Sequence, residues 1–220
     1  NKPALIFFCL LLSAAAVLAG ANIYSELKER QKEKKDFAAV SQIAEPTVTT
    51  AQTETEPTEQ PAAERNIQAL ITENADCIGW LSIDGTNISY PVMHTPSNPQ
   101  KYLRRNFCGK YSQSGVPFLD GRCDLQSINL IIYGHNMKNG TMFSDLKRYL
   151  DRDFLNAHRT VIFETADGIR YFTVTEVLKT NTSDAWYNRI TAKGGSRCLI
   201  LSTCYGSDKD GRLLIIAAET

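Results

Sequence analysis

The residues with the most chemical promise stand at the end of an apolar run. Leu199-Ile200-Leu201-Ser202-Thr203-Cys204 stops at a cysteine and is followed at once by Tyr205-Gly206 and polar loop residues. A thiol at a strand's end, next to a glycine, projects into a cleft rather than a core. A cysteine nucleophile needs a base or a cation to generate thiolate, and a donor to hold the developing oxyanion. His135 is placed for the first task, because it follows Tyr133-Gly134 where a buried strand candidate meets a polar loop. Arg212 is placed for the second. It opens the run Leu213–Ala218 after a tight Lys-Asp-Gly turn. If that run pairs with the strand ending at Cys204, its guanidinium returns to the thiol.

The remaining cysteines and histidines lack such a setting. His94 follows Pro91-Val92-Met93 and His158 sits near a helix end beside Asn156 and Arg159, so both are read as structural or surface residues. Cys77, Cys108, Cys123 and Cys198 are read as buried or bystander thiols. Outside a reducing compartment disulfides are the first expectation for them, and four thiols pair in three ways. Cys198 lies six positions before Cys204, about 20 Å along a straight strand, so these two cannot bridge. There is no two-residue cysteine spacing and the histidines are scattered, so neither a metal nor another cofactor is expected. Lys+Arg and Asp+Glu are both 24, which leaves no global basic excess for a nucleic-acid partner. Nine Tyr, nine Phe and two Trp are enough to seed a core.

The elements that must position these residues are short. Glu64–Asp76 places Ile67, Leu70 and Ile71 on one side, as an amphipathic helix does. Gly79–Ile83 and Asn87–Val92 flank Asp84-Gly85 as a hairpin. Val116–Leu119 and Ser127–Tyr133 read as strands, the second buried, and Thr141–Asn156 has the spacing of one or two helix faces. Thr160–Glu164 and Ile169–Lys179 flank Asp167-Gly168 as a second hairpin, and Arg197–Ser202 and Leu213–Ala218 are the last apolar strands. Many short strands with few helices predict a mainly β fold, a barrel or a sandwich.

Ahead of this domain, 64–220, the chain changes character twice. Ala4 to Ala21 carries no charge and as a helix spans about 27 Å, near a bilayer's hydrocarbon thickness. Residues 1–24 are therefore expected to be a membrane anchor. A cleavable signal ending at Ala19-Gly20-Ala21 is the competing reading, and the length of the run, extended by Ile23 and Tyr24, favours the anchor. Residues 25–44 interleave Lys and Arg with Glu and Asp, as a solvated juxtamembrane helix does. The basic residues after the span would by themselves place its C-terminal side in the cytoplasm. Residues 45–63 hold six Thr, four Glu and three Pro and no basic residue, which makes them a tether with a mean reach of roughly 25 Å.

Taken together, the motifs carry a family resemblance. Tyr133-Gly134-His135, then Leu201-Ser202-Thr203-Cys204, then Gly211-Arg212 on the next strand resemble a sortase, the cysteine transpeptidase of Gram-positive cell surfaces. Tyr133–Phe143 (YGHNMKNGTMF), Tyr90-Pro91-Val92 and Lys101-Tyr102-Leu103 make the likeness one to class B, over roughly Gly79 to Ala218. Papain-like proteases use related chemistry but place Cys before His, and here the order is reversed. The resemblance implies a closed β-barrel of about eight strands with flanking helices, preceded by the N-terminal transmembrane helix. It implies Cys204 as nucleophile, His135 as acid/base and Arg212 as oxyanion and substrate-positioning group, with Leu103, Tyr133 and Ser202 lining the substrate groove. It further implies cleavage of an Asn-Pro-x-Thr-like sorting signal on secreted proteins and transfer to the amine of a lipid-linked peptidoglycan precursor. A domain outside the cell, on a single-pass membrane protein, follows from those substrates and overrides the local charge count. A pilin-polymerising sortase and a non-catalytic peptide-binding barrel are the alternatives. Thr180–Ser196 is shorter than the helix-containing insertion usual in class B before the catalytic strand, and the extra cysteines suit an oxygen-poor niche or one or two disulfides.

Overall fold

The computed structural model describes residues 2–46, 65–191 and 195–220. Among them eight strands close into a barrel: β1 (Cys77–Ser82), β2 (Ser89–Met93), β3 (Phe118–Leu119), β4 (Asn129–Tyr133), β5 (Thr160–Thr165), β6 (Gly168–Asn181), β7 (Cys198–Cys204) and β8 (Gly211–Glu219). Their order around the barrel is β1-β2-β3-β4-β7-β8-β6-β5. Neighbours are antiparallel except β2 with β3 and β4 with β7, which run parallel. The closed barrel expected from the resemblance is therefore present, and closure removes the open edges a sheet of this size would otherwise expose.

The centre of the barrel is dry because its strands are apolar on consecutive positions. Leu130, Ile131 and Ile132 of β4, Leu199 to Leu201 of β7 and Leu213 to Ile215 of β8 are all fully buried. Burial of successive residues needs cover on both faces. One face is the barrel interior. On the other, the 3₁₀ segment Phe143–Leu150 packs on β7 and β8, and a second one, Ala185–Thr191, packs on β4.

Several elements differ from the sequence reading for identifiable reasons. The helical span expected over Thr141–Asn156 is broken at Asp151, whose carboxylate accepts from the amides of Asp153 and Phe154 and so caps α3 (Arg152–Ala157). The residues before it wind as the tighter 3₁₀ form, which buries Phe143, Leu146 and Tyr149. Val116–Leu119 shrinks to the two residues of β3. The 3₁₀ turns Lys101–Arg104 and Ala185–Thr191 had no counterpart in the apolar pattern. The helix expected over Glu64–Asp76 is the shorter α2 (Ile67–Glu73), with Asn66 as its N-cap.

At the N-terminal end α1 (Lys2–Ile43) is one continuous helix. The transmembrane helix expected at residues 1–24 falls largely on side chains outside the described set; among the described residues no helix is long and apolar enough to cross a membrane. The side chains of residues 1–16 lie outside the described set, and from Glu26 onward the same helix carries the mixed charges of residues 25–44. One compact unit ends at Ala39 and a second runs Val40–Thr220. Of the expected tether, residues 47–63 lie outside the described residues. Cys77, Cys108, Cys123, Cys198 and Cys204 are all free thiols, so no disulfide staples the barrel.

Without staples, stability rests on packing. Leu201 lies in β7 between Ile132 of β4 and Ile215 of β8. Leu201→Ala is expected to cost about 2–5 kcal/mol, read as a lower urea midpoint at unchanged m-value. A loss below about 1 kcal/mol would mean that the barrel collapses around the void.

Candidate active site

Strand direction gathers the candidate residues at one end of the barrel. β4 and β7 are parallel, so Tyr133 at the end of β4 lies beside Ser202 near the end of β7. β8 returns antiparallel, so its first residues meet the last of β7, and Cys204 stands directly opposite Arg212. Side chains on such opposed residues start with their Cβ atoms about 4.5–5.5 Å apart. A cleft of about 620 Å³ opens at this end. Leu103, Tyr133, His135, Ser202, Cys204 and Arg212 all line it, so the structure brings together every residue singled out as catalytic or substrate-lining.

The loop that carries His135 is laced to β7. Beyond the last β4 residue the Gly134 amide donates to the Ser202 carbonyl (3.1 Å), and Thr203 Oγ1 donates to the Gly134 carbonyl (2.7 Å). Asn136 Nδ2 donates to the Cys204 carbonyl (2.8 Å), which ties the residue after the histidine to the cysteine's own backbone. Gly134 is required by close packing, since a Cβ there would lie 2.5 Å from the Phe143 ring. The His135 ring is held from the other side. Its Nε2 is 2.9 Å from the Leu103 carbonyl. A carbonyl only accepts, so Nε2 carries the proton and the neutral ring keeps its lone pair on Nδ1.

Leu103 is itself fixed by Gly115. That glycine has φ +61°, and a Cβ on it would stand 2.5 Å from the carbonyl oxygens of both Tyr102 and Leu103. Burial pushes the His135 imidazole below its ordinary pKa, and the positive charge of Arg104 adds to the effect. The Leu103 carbonyl opposes both, and the net shift is downward. Arg212 Nη1 donates to the carbonyls of Gly211 (2.8 Å) and Lys209 (3.1 Å), so the rest of the guanidinium fork is left for other partners.

The match to known proteins is consistent along most of the chain. Residues 81–220 match the family model of the sortase domain. A sortase B of Listeria monocytogenes is 34% identical over 180 residues, covering 69% of this chain and 71% of that protein. The chain belongs to the sortase family. It is a cysteine transpeptidase of class B type. A crystal structure of Bacillus anthracis sortase B superposes with a TM-score of 0.68 at 27% identity, covering 88% of this chain and 99% of the other. A substrate complex of Staphylococcus aureus sortase B does so with a TM-score of 0.61 at 25% identity, covering 70% and 84%.

The cleft of this sortase also holds residues that the sequence did not single out. Tyr133 is stacked on Tyr187 (ring centroids 6.3 Å apart) and lies 5.5 Å from the Phe118 ring. The Tyr133 hydroxyl donates to Asp120 Oδ2 (2.7 Å), and Arg122 grips the same carboxylate through Nε (2.9 Å) and Nη2 (2.8 Å). Burial alone would raise the Asp120 pKa. The Arg122 and Tyr133 hydrogen bonds outweigh it and hold the carboxyl below its usual range. Tyr187 shares a hydrogen bond of 2.8 Å with Ser202. Thr180–Ser196 therefore supplies a groove wall despite its shortness. Asp120 directly follows the apolar run Val116–Leu119 and Tyr187 lies in a stretch without apolar periodicity, so neither stands out from sequence as a site residue.

The other cysteines and histidines stay outside the cleft. Burial pushes Cys77 and Cys123 up to about 11, which makes them poor nucleophiles. Burial lowers the pKa of His94, and its Nε2 has no hydrogen-bond partner among the described residues. His158 packs on the Phe154 ring, with centroids 4.4 Å apart.

The His135 environment can be checked by titration. Its folded pKa is depressed, so the unfolded chain binds more protons as pH falls below about 6.5, and stability from this group erodes there. A ¹⁵N NMR titration should place the His135 midpoint below about 6.5, with the proton on Nε2. A midpoint above that value would contradict control by burial.

Proposed function

We propose that the enzyme cleaves the sorting signal of secreted proteins with Cys204 as nucleophile, His135 as acid/base and Arg212 as oxyanion donor. The reading is supported chiefly by one observation: these three side chains line a single cleft, with the histidine proton assigned to Nε2 and Cys204 opposed to Arg212. In the first step the Cys204 sulfur attacks the carbonyl carbon of the Thr–X bond while its proton passes to His135 Nδ1. The oxygen charge that develops is met by the Arg212 guanidinium. Collapse breaks the C–N bond, the leaving amine takes the proton from His135, and a thioester remains. In the second step an amine attacks the thioester, His135 takes its proton, and the Cys204 sulfur leaves as the thiol once that proton is returned.

For the substrate we favour an Asn-Pro-x-Thr-like signal, docked along Leu103, Tyr133 and Ser202, and for the acceptor a peptidoglycan-precursor amine. The class B relatives and the substrate complex of the Staphylococcus aureus protein support a peptide lying in this groove. The domain 64–220 then works at the cell surface on the 45–63 tether.

A sorting-signal peptide added to the full chain is expected to leave a thioester on Cys204, detected by mass spectrometry. Cys204→Ala should form none, and full cleavage by that variant would exclude the assignment. Arg212→Lys should lower kcat by about 10²-fold or more, since a point charge lacks the forked donors that follow the oxyanion. His135→Ala should abolish transfer, whereas His94→Ala and His158→Ala should not. Near-normal turnover of Arg212→Lys would remove the oxyanion role.

A further inference from the structure

Between Leu103 and Leu119 the chain carries Arg104, Arg105 and Lys110 and no acidic residue. Residues 64–220 hold 18 basic and 16 acidic side chains, so these three cations alone exceed the net positive charge of the whole domain. They are gathered on one hairpin. Arg105 bridges Tyr111, the Asn106 amide donates to the Lys110 carbonyl (2.8 Å), and the Ser112 amide donates to the Arg104 carbonyl (3.1 Å). All three side chains are exposed, and among the described residues none pairs with a carboxylate. Instead Arg104 Nη1 donates to the Gln113 carbonyl (3.0 Å) and Arg105 Nη1 to the Gly109 carbonyl (2.8 Å). A guanidinium held by main-chain carbonyls is oriented but keeps its full charge and its remaining donors. Tyr111, 66% exposed, adds an uncovered aromatic ring to the same hairpin.

The position of this charge matters as much as its sign. The hairpin grows out of the segment that lines the cleft through Leu103 and holds His135 through the Leu103 carbonyl. The charge of Arg104 is felt at His135. An anion bound on this hairpin therefore lies next to the segment that lines the cleft through Leu103, on the side of Arg104 and His135. We propose that the Arg104–Gln113 hairpin binds the phosphate groups of the acceptor, with Tyr111 against its sugar, and so delivers the acceptor amine to the acylated Cys204. The inference rests on the proposed transfer to a lipid-linked wall precursor, whose saccharide is joined to its carrier through phosphate. Lipid headgroup phosphate is the rival partner. Three cations are fewer than the roughly four to eight that hold a protein on an anionic bilayer, and their place beside the cleft favours a substrate.

The test compares the wild-type full chain with Arg105→Gln/Lys110→Gln. Arg104 is left intact because its field acts on His135. Two acceptors are used, a wall-precursor fragment carrying its diphosphate and the same fragment with the phosphates removed. The expected result is a fall of about tenfold in the ratio of their kcat/KM values, carried by KM and diminished by added salt. Disruption of the fold would lower both rates and leave the ratio unchanged, and an unchanged ratio overturns the proposal. Calorimetry with inorganic pyrophosphate tests the hairpin without catalysis: the wild type should bind and the variant should bind about tenfold more weakly. Equal binding, or none by the wild type, overturns it. Loss confined to phosphatidylglycerol vesicles, with the acceptor ratio intact, would make the hairpin a membrane contact and also defeat it. Release of the thioester by hydroxylamine, followed separately, reports on the cleavage reading alone.

Discussion

The parallel pairing of β4 with β7 is the constraint on which the site depends. The two strands are separated in sequence by the 3₁₀ segment, α3 and the β5–β6 hairpin, so their ladder closes a long loop at an entropic cost. The cost is met by burial, since Leu130 to Ile132 and Leu199 to Leu201 are fully enclosed. Parallel direction is what matters chemically. It puts the end of β4 and the end of β7 on the same rim, and the antiparallel return of β8 adds Arg212, its second residue, there. A slip of one residue in that ladder would turn Ser202 and Cys204 away from the cleft together. The bonds from Gly134, Thr203 and Asn136 carry the register past the end of the strand, so the histidine loop is fixed to the same ladder.

Sequence pattern carried the barrel well where it carried burial. The apolar runs of β4, β7 and β8 and the turn residues Asp84-Gly85 and Asp167-Gly168 place most strands within a few residues. Cys204, His135 and Arg212 were legible because each sits where an apolar run gives way to a polar turn, and the motif order added the rest. The groove wall was not legible. Asp120 and Tyr133 lie 13 positions apart and Tyr187 is farther still, and only the three-dimensional stack of rings reveals that they form one unit. The break at Asp151 was missed because an N-cap aspartate in the middle of a periodic stretch looks like an exposed helical position. Residues 1–24 contain an uncharged run long enough to span a bilayer, and the helix α1 that contains it continues without interruption into charged sequence.

Electrostatics at the rim follow from the same packing. Arg122 and Arg212 line the cleft and the charge of Arg104 reaches His135, and among the described residues Arg122 alone of the three pairs with a carboxylate, Asp120. Burial and the Arg104 field both disfavour imidazolium, so His135 rests neutral and accepts a proton only when a compensating negative charge forms nearby. In the proposed attack, the Cys204 sulfur supplies that charge as it gives up its proton. Opposite unit charges about 4 Å apart at an effective dielectric near 20 attract by about 4 kcal/mol, which works against the depression of the imidazole pKa. On the proposed mechanism, cations that disfavour imidazolium at rest favour the oxyanion and the thiolate once they appear, which reconciles a neutral resting histidine with a reaction that builds up negative charge.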